Sequence, residues 1–162
     1  MTTWNQFATA APDMAEMVQS RFEATGLGML ATVRRDGGPR ISGIEPSFFE
    51  GEIWLGMMDG SLKARDLQRD SRLALHNATE DKKIKEGDVK LAGRAVEITD
   101  DATKRAFLKA FAEANGYGPP EDSPMQLFKI DLTEVATIKT GGDHLVIESW
   151  APDQGLRRVE RR

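Results

Sequence analysis

Turn signals built on glycine recur at short intervals through this 162-residue chain, and short apolar runs separate them. That spacing constrains the fold more than any other feature. Leu27 to Arg34 is mostly apolar and ends at Asp36-Gly37-Gly38, a hairpin signature because these residues tolerate the backbone of tight turns. Arg40 to Phe49 is predicted as a second strand with Pro46 inside it. Proline cannot donate to a sheet ladder, so Pro46 marks an edge, a bulge or a break. Glu50-Gly51 turns the chain into Glu52 to Met57, and Asp59-Gly60-Ser61 opens a polar helical turn over Leu62 to Arg69. Further strands are predicted at Arg72 to Ala78, Val89 to Ile98, Gln126 to Leu132, Ala136 to Thr140 and His144 to Trp150, with Gly141-Gly142-Asp143 as a turn. About seven or eight short strands with few helices point to a mainly β fold closed as an antiparallel barrel, because closure removes exposed edges.

Two longer segments carry a helical period instead. From Asp13 to Ala24, residues Met14, Met17, Val18 and Phe22 share one face; Asp13 is the expected cap, Glu16 completes a capping box, and Gly26 stops the helix. From Asp100 to Asn115 the stripe is Phe107, Ala110, Phe111 and Ala114, with Asp100 as cap and Asn115-Gly116 as terminator. A Gly/Pro-rich loop follows, Gly116 to Pro124. One domain, 1–162, accounts for the length, with 1–12 and 151–162 expected as flexible or interface-packing ends.

Composition removes several functions. A net charge of −4, with the one basic cluster at Arg157-Arg158 and Arg161-Arg162, gives no stripe for nucleic acid. No run approaches the ~20 apolar residues of a membrane helix, and the start of the chain lacks the basic-then-apolar order of a secretory signal, so a cytoplasmic protein is expected. Without cysteine there is no disulfide or thiolate chemistry, and His76 and His144 lack the spaced partners of a metal site. No Gly-x-Ser-x-Gly elbow, Walker loop or GxGxxG follows a strand. An enzyme built on this chain would therefore lean on a bound cofactor for the difficult step.

The suggestive segment is Gly56-Met57-Met58-Asp59-Gly60-Ser61-Leu62-Lys63-Ala64-Arg65. Free N–H groups at a helix start, the Ser61 hydroxyl and the Lys63 ammonium can hold a phosphate, with Arg65 as a second cation. The plainer reading is an ordinary N-cap, with Arg65 paired to Asp66 or Asp70.

Taken in order, these segments resemble the pyridoxamine-5'-phosphate-oxidase-like superfamily. Leu30-Ala31-Thr32-Val33-Arg34-Arg35-Asp36-Gly37-Gly38-Pro39-Arg40 is similar to its opening hairpin. Ile53 to Met57, then Gly60-Ser61-Leu62-Lys63-Ala64, then Asp70-Ser71-Arg72-Leu73-Ala74-Leu75 resemble its strand, phosphate-gripping turn and next strand. Asp70-Ser71-Arg72 stands where Asn/Asp-Pro-Arg is common. Val89 to Val96 and Leu127 to Leu132 look like later strands, so the likeness spans Phe22 to Trp150. The resemblance implies a homodimeric split barrel, with two sites for FMN or the deazaflavin coenzyme F-420 at the subunit interface. It gives Ser61, Lys63 and Arg65 phosphate roles, sets Glu45, Pro46 and Ser47 along the flavin ring, and packs Leu55 to Met58 against it. His76 is expected to line the cleft, and Trp150 to reach the partner's site. The residues by themselves leave plainer roles open: Trp54 and Met57 as barrel core, and His76 and Trp150 as interface packing. The implied function is hydride transfer to or from a small planar substrate. The alternatives are a non-catalytic flavin carrier or sensor and a ligand-free dimeric interaction module. FMN needs one phosphate grip, whereas the polyglutamyl tail of the deazaflavin would use further cations such as Arg40, Lys82 or Lys83.

Overall fold

The computed structural model describes residues 1–162. Nine strands make one antiparallel sheet: β1 Gly28–Val33, β2 Pro39–Ile44, β3 Pro46–Phe49, β4 Glu52–Met58, β5 Arg72–Asn77, β6 Asp88–Ile98, β7 Met125–Thr140, β8 Leu145–Ala151 and β9 Gly155–Arg161. Hydrogen-bonded order runs β2-β1-β5-β6-β7-β4-β3, and β8 and β9 extend outward from β7. The two ends of that path, β2 and β3, are consecutive in the chain, with only Glu45 between them. The sheet therefore curls on itself into a split barrel whose seam lies at Glu45. Pro46 produces the break: it heads β3 opposite Leu55, where its missing N–H costs nothing to the preceding strand.

Strand alternation fills the interior. Leu30, Ile53, Leu55, Leu75 and Val135 are fully buried, as expected where one face of each pleat is turned inward. Trp54 and Met57 are buried too, in agreement with the plain reading of both as core. β6 and β7 pair over their length with a register shift at Ala92/Gly93. A Cβ on Gly93 would sit 2.5 Å from the Asp131 carbonyl oxygen, so this close approach requires glycine. The two late strands expected at 126–132 and 136–140 are one long strand, because the extra residue Thr133 is absorbed as a bulge opposite Ala92/Gly93 and the ladder resumes at Glu134.

Four helices complete the chain: α1 Trp4–Ala10, α2 Pro12–Glu23, α3 Leu62–Arg69 and α4 Asp101–Asn115. α3 and α4 fall where expected, and α4 is capped by Asp100 and ended by left-handed Gly116. Two expectations need correction. α2 begins at Pro12 on Ala11, with no side-chain cap, so Asp13 and Glu16 form no capping box; proline suits a first helical position and Asp13 simply faces the positive helix end. The first twelve residues are not a loose end either. Thr3 and Gln6 cap α1 reciprocally, and Phe7 is fully buried between Trp4 and Trp150, with ring centroids 5.3 and 5.0 Å away. At the other terminus β9 pairs with β8 from Gly155 opposite Ala151 to Arg161 opposite Leu145, with every residue exposed. No helix is long and apolar enough to cross a membrane.

Candidate functional site

β4 ends at Met58, and the chain turns through Asp59 and Gly60 into α3. Ser61 caps α3, its hydroxyl accepting at 3.4 Å from the Ala64 N–H. The N–H groups of Leu62 and Lys63, in the first turn, have no intrahelical acceptor. The turn is pinned from β7: the Gln126 side-chain oxygen accepts from the Gly60 N–H at 2.9 Å. Lys63 is half-buried and its ammonium donates 2.7 Å to the Gly43 carbonyl of β2. Burial of that ammonium holds Lys63 below the usual lysine range, while the nearby Glu45 carboxylate opposes the shift. No carboxylate is within ion-pair distance of the ammonium, whose one hydrogen-bond partner is the neutral Gly43 carbonyl. Arg65 is exposed, and its guanidinium lies 3.5 Å from where a Cβ on Gly60 would stand, so glycine leaves the turn open beneath it. Neither acid considered for Arg65 pairs with it, since Asp66 binds Arg40 and Arg69 and Asp70 binds Arg72.

Asp66 anchors this end of the barrel. It is buried and accepts from Thr32 at 3.0 Å, Arg40 at 2.7 Å and Arg69 at 2.9 Å. Burial pushes its carboxyl up, but the bonds from Arg40, Arg69 and Thr32 outweigh that and hold it below the ordinary value of 3.8. A lowered pKa stabilises the fold fully above the unfolded value, and the contribution is lost as pH falls through the folded one. Asp66→Asn should cost about 1–2 kcal/mol at neutral pH. It should also flatten the acid limb of a stability-versus-pH curve measured by urea denaturation; an unaltered limb would show that Asp66 does not set it.

Beside the seam lies a cleft between the barrel and α4. One cavity, ≈ 240 Å³, is walled by Glu45, Met57, Phe107 and Phe111 among others; a second, ≈ 330 Å³, shares Glu45 and Phe111 and adds Pro46, Ser47 and Tyr117. The Tyr117 hydroxyl donates to Glu45 Oε1 at 2.9 Å, and the Tyr117 ring meets Phe111 edge-on at 6.0 Å. The bond to Glu45, and then its charge, raise the phenol above its ordinary 10.0. Tyr117 is the single tyrosine, so the tyrosinate ultraviolet band reports it alone. Its alkaline midpoint should lie above 10 in the native protein and fall toward 10 in Glu45→Gln. Equal midpoints would mean that the contact does not persist in solution.

The structure brings most of the anticipated residues to one region. Ser61, Lys63 and Arg65 form the turn; Glu45, Pro46 and Ser47 form the seam; Met57 walls the smaller cavity and Met58 stands exposed at its rim. Leu55 is fully inside the barrel, so it offers a ligand no side-chain surface. His76 is half-buried on the outer face of β5, opposite Met29 and Lys90, and lines neither cavity. The Trp150 ring is buried in its own chain's core against Phe7. Tyr117 and the α4 face were not anticipated as cleft walls. Their signal was the Phe107/Phe111 stripe, which also fits ordinary helix packing. No group of three or more histidines or acids is placed to hold a metal ion.

A split barrel with a cation-bearing turn at its seam defines a class, and the sequence comparison places the chain within it. A family model described as pyridoxamine 5'-phosphate oxidase matches residues 14–139, and the chain belongs to that family. No match was found among curated proteins. Among solved structures, PhzG from Burkholderia lata 383, in complex with tetrahydrophenazine-1-carboxylic acid, superposes with a TM-score of 0.68 at 13% identity, covering 94% of this chain and 93% of that one. A pyridoxamine 5'-phosphate oxidase-related, FMN binding protein from Nostoc punctiforme PCC 73102 gives 0.62 at 15%, covering 94% and 96%. An F420 reductase gives 0.55 at 17%, covering 67% and 87%. At these identities the likeness establishes the fold.

Proposed function

We propose that this chain binds FMN, with the deazaflavin coenzyme F-420 as the alternative, and transfers a hydride to or from a small planar substrate. The observation that carries the reading is Lys63: a partly buried ammonium whose one bonded partner is the neutral Gly43 carbonyl, beside two free N–H groups and the unpaired Arg65. These groups fit one phosphate, each donating a bond to it. Of the cations named for a polyglutamyl tail, Arg40 is held by Asp66, whereas Lys82 and Lys83 are exposed and unpaired. The structural likeness to an FMN binding protein and to an F420 reductase supports a flavin-type cofactor.

The bound cofactor supplies the hydride chemistry; the chain holds, orients and shields it. Ser61, Lys63 and Arg65 would hold its phosphate, the seam at Glu45, Pro46 and Ser47 would run beside it, and Met57 and Met58 would give it an apolar flank that keeps water away.

The reading includes a homodimer. The outer face of the sheet carries a row of small and apolar residues in register, Ile41–Ala31–Ala74–Ala92, with Met29 and Leu27 beside it. Ile41 is 69% exposed, and an apolar row of this kind is suited to a second copy. Ala74→Arg should convert a dimer to a monomer in light scattering.

The activity is tested by loading the protein with FMN and adding reduced nicotinamide without oxygen. Bleaching of the flavin band, followed by reoxidation with a planar acceptor, is the expected result. Bound flavin that is not reduced would make the protein a carrier or sensor.

A further inference from the structure

The turn that carries Ser61, Lys63 and Arg65 holds itself together weakly. Its own hydrogen bonds are long: the Ser61 N–H donates to the Met58 carbonyl at 3.2 Å, and the Ser61 hydroxyl accepts from the Ala64 N–H at 3.4 Å. Bonds of that length stand at or beyond the weak end of the normal range. The firmer constraint comes from outside the turn, from Gln126 on β7, 66 residues along the chain from Gly60. Its side-chain oxygen accepts from the Gly60 N–H at 2.9 Å, and its amide nitrogen donates to the Asp59 carboxylate. One planar amide thus closes on two consecutive residues, the second of them in the left-handed region with φ at 66°. Gln126 is itself fixed by the sheet, opposite Met57 of β4 and next to the fully buried Leu127.

We propose that Gln126 is a positioning residue for the cofactor phosphate, acting through Gly60 and Asp59 without touching the ligand. Two effects combine. Holding the Gly60 peptide fixes the direction in which α3 begins, and so aims the Leu62 and Lys63 N–H groups before a phosphate arrives. Holding Asp59 removes a competitor. An aspartate just ahead of a helix accepts readily from backbone N–H groups two or three residues on, which are the donors an incoming phosphate needs. Glutamine suits both tasks because one neutral amide offers an acceptor to Gly60 and a donor to Asp59. A glutamate in its place would set two carboxylates against each other beside an anion site. The inference rests on the reading of this turn as the phosphate grip.

The test is fluorescence titration of the full-length protein with FMN and with riboflavin, which ends in a hydroxyl where FMN carries its phosphate. Gln126→Leu should weaken FMN binding about tenfold and leave riboflavin affinity unchanged. Gln126→Glu should weaken FMN at least as much. Adding Asp59→Asn to that variant should restore FMN affinity to within about threefold, because donor and acceptor are then exchanged across the same contact. Unchanged FMN affinity in Gln126→Leu, an equal loss for both ligands, or no recovery in the paired exchange would each overturn the proposal. A wild-type protein that binds FMN no more tightly than riboflavin would instead sink the phosphate reading of the turn, and the role of Gln126 with it.

Discussion

On the cofactor assignment proposed above, Lys63→Ala should weaken FMN binding by about 1.5–3 kcal/mol in a fluorescence titration of the folded protein, roughly ten- to a hundredfold in affinity. The size follows from what the ammonium lacks. Its bond to the Gly43 carbonyl leaves two donors unused, and burial has already removed part of its hydration. A phosphate arriving at the turn therefore finds a cation positioned and incompletely satisfied. Arg65→Ala should cost less, because that side chain is exposed and solvent screens its charge. Unchanged affinity in Lys63→Ala would remove Lys63 from the site and with it the observation on which the cofactor assignment stands.

Phe7→Ala lowers the stability of the whole domain by about 3–5 kcal/mol, read as a shift of the urea midpoint. Phe7 has no exposed surface, and its ring joins Trp4 and Phe48 on one side of the core to Trp150 on the other through the contacts of Trp4. Truncating it leaves a cavity that two tryptophans fixed on separate elements cannot both move to fill. Were α1 a loosely attached end, the loss would be about 0.5 kcal/mol or less.

The difference between those two outcomes also marks what the sequence makes legible. Strand alternation and glycine turns announce the barrel, because a period of two and a tight turn are local properties. The α3 turn is equally legible, since Ser61, Lys63 and Arg65 fall within five residues. α1 is not: its seven residues carry only Trp4 and Phe7 as buried positions, too few for a helical period to show. The continuity of β7 is hidden for a similar reason, because Thr133-Glu134 reads as a polar break although the ladder with β6 absorbs it through a register shift. The Glu45–Tyr117 contact joins residues 72 apart and has no local signature. Trp150 shows the reverse problem: an aromatic near a terminus suits a partner's surface as well as a core, and the packing of α1 decides for the core. Arg40 is informative only once Asp66 is seen beneath it, for the pair turns a free cation into a structural one.

The most direct measurement is titration of the purified protein with FMN and, separately, with the deazaflavin, following cofactor fluorescence. Saturable binding of one of them, lost or strongly weakened in Lys63→Ala, is the expected result, with FMN the tighter. Binding of neither by a correctly folded protein would contradict the cofactor assignment and leave a ligand-free dimeric module.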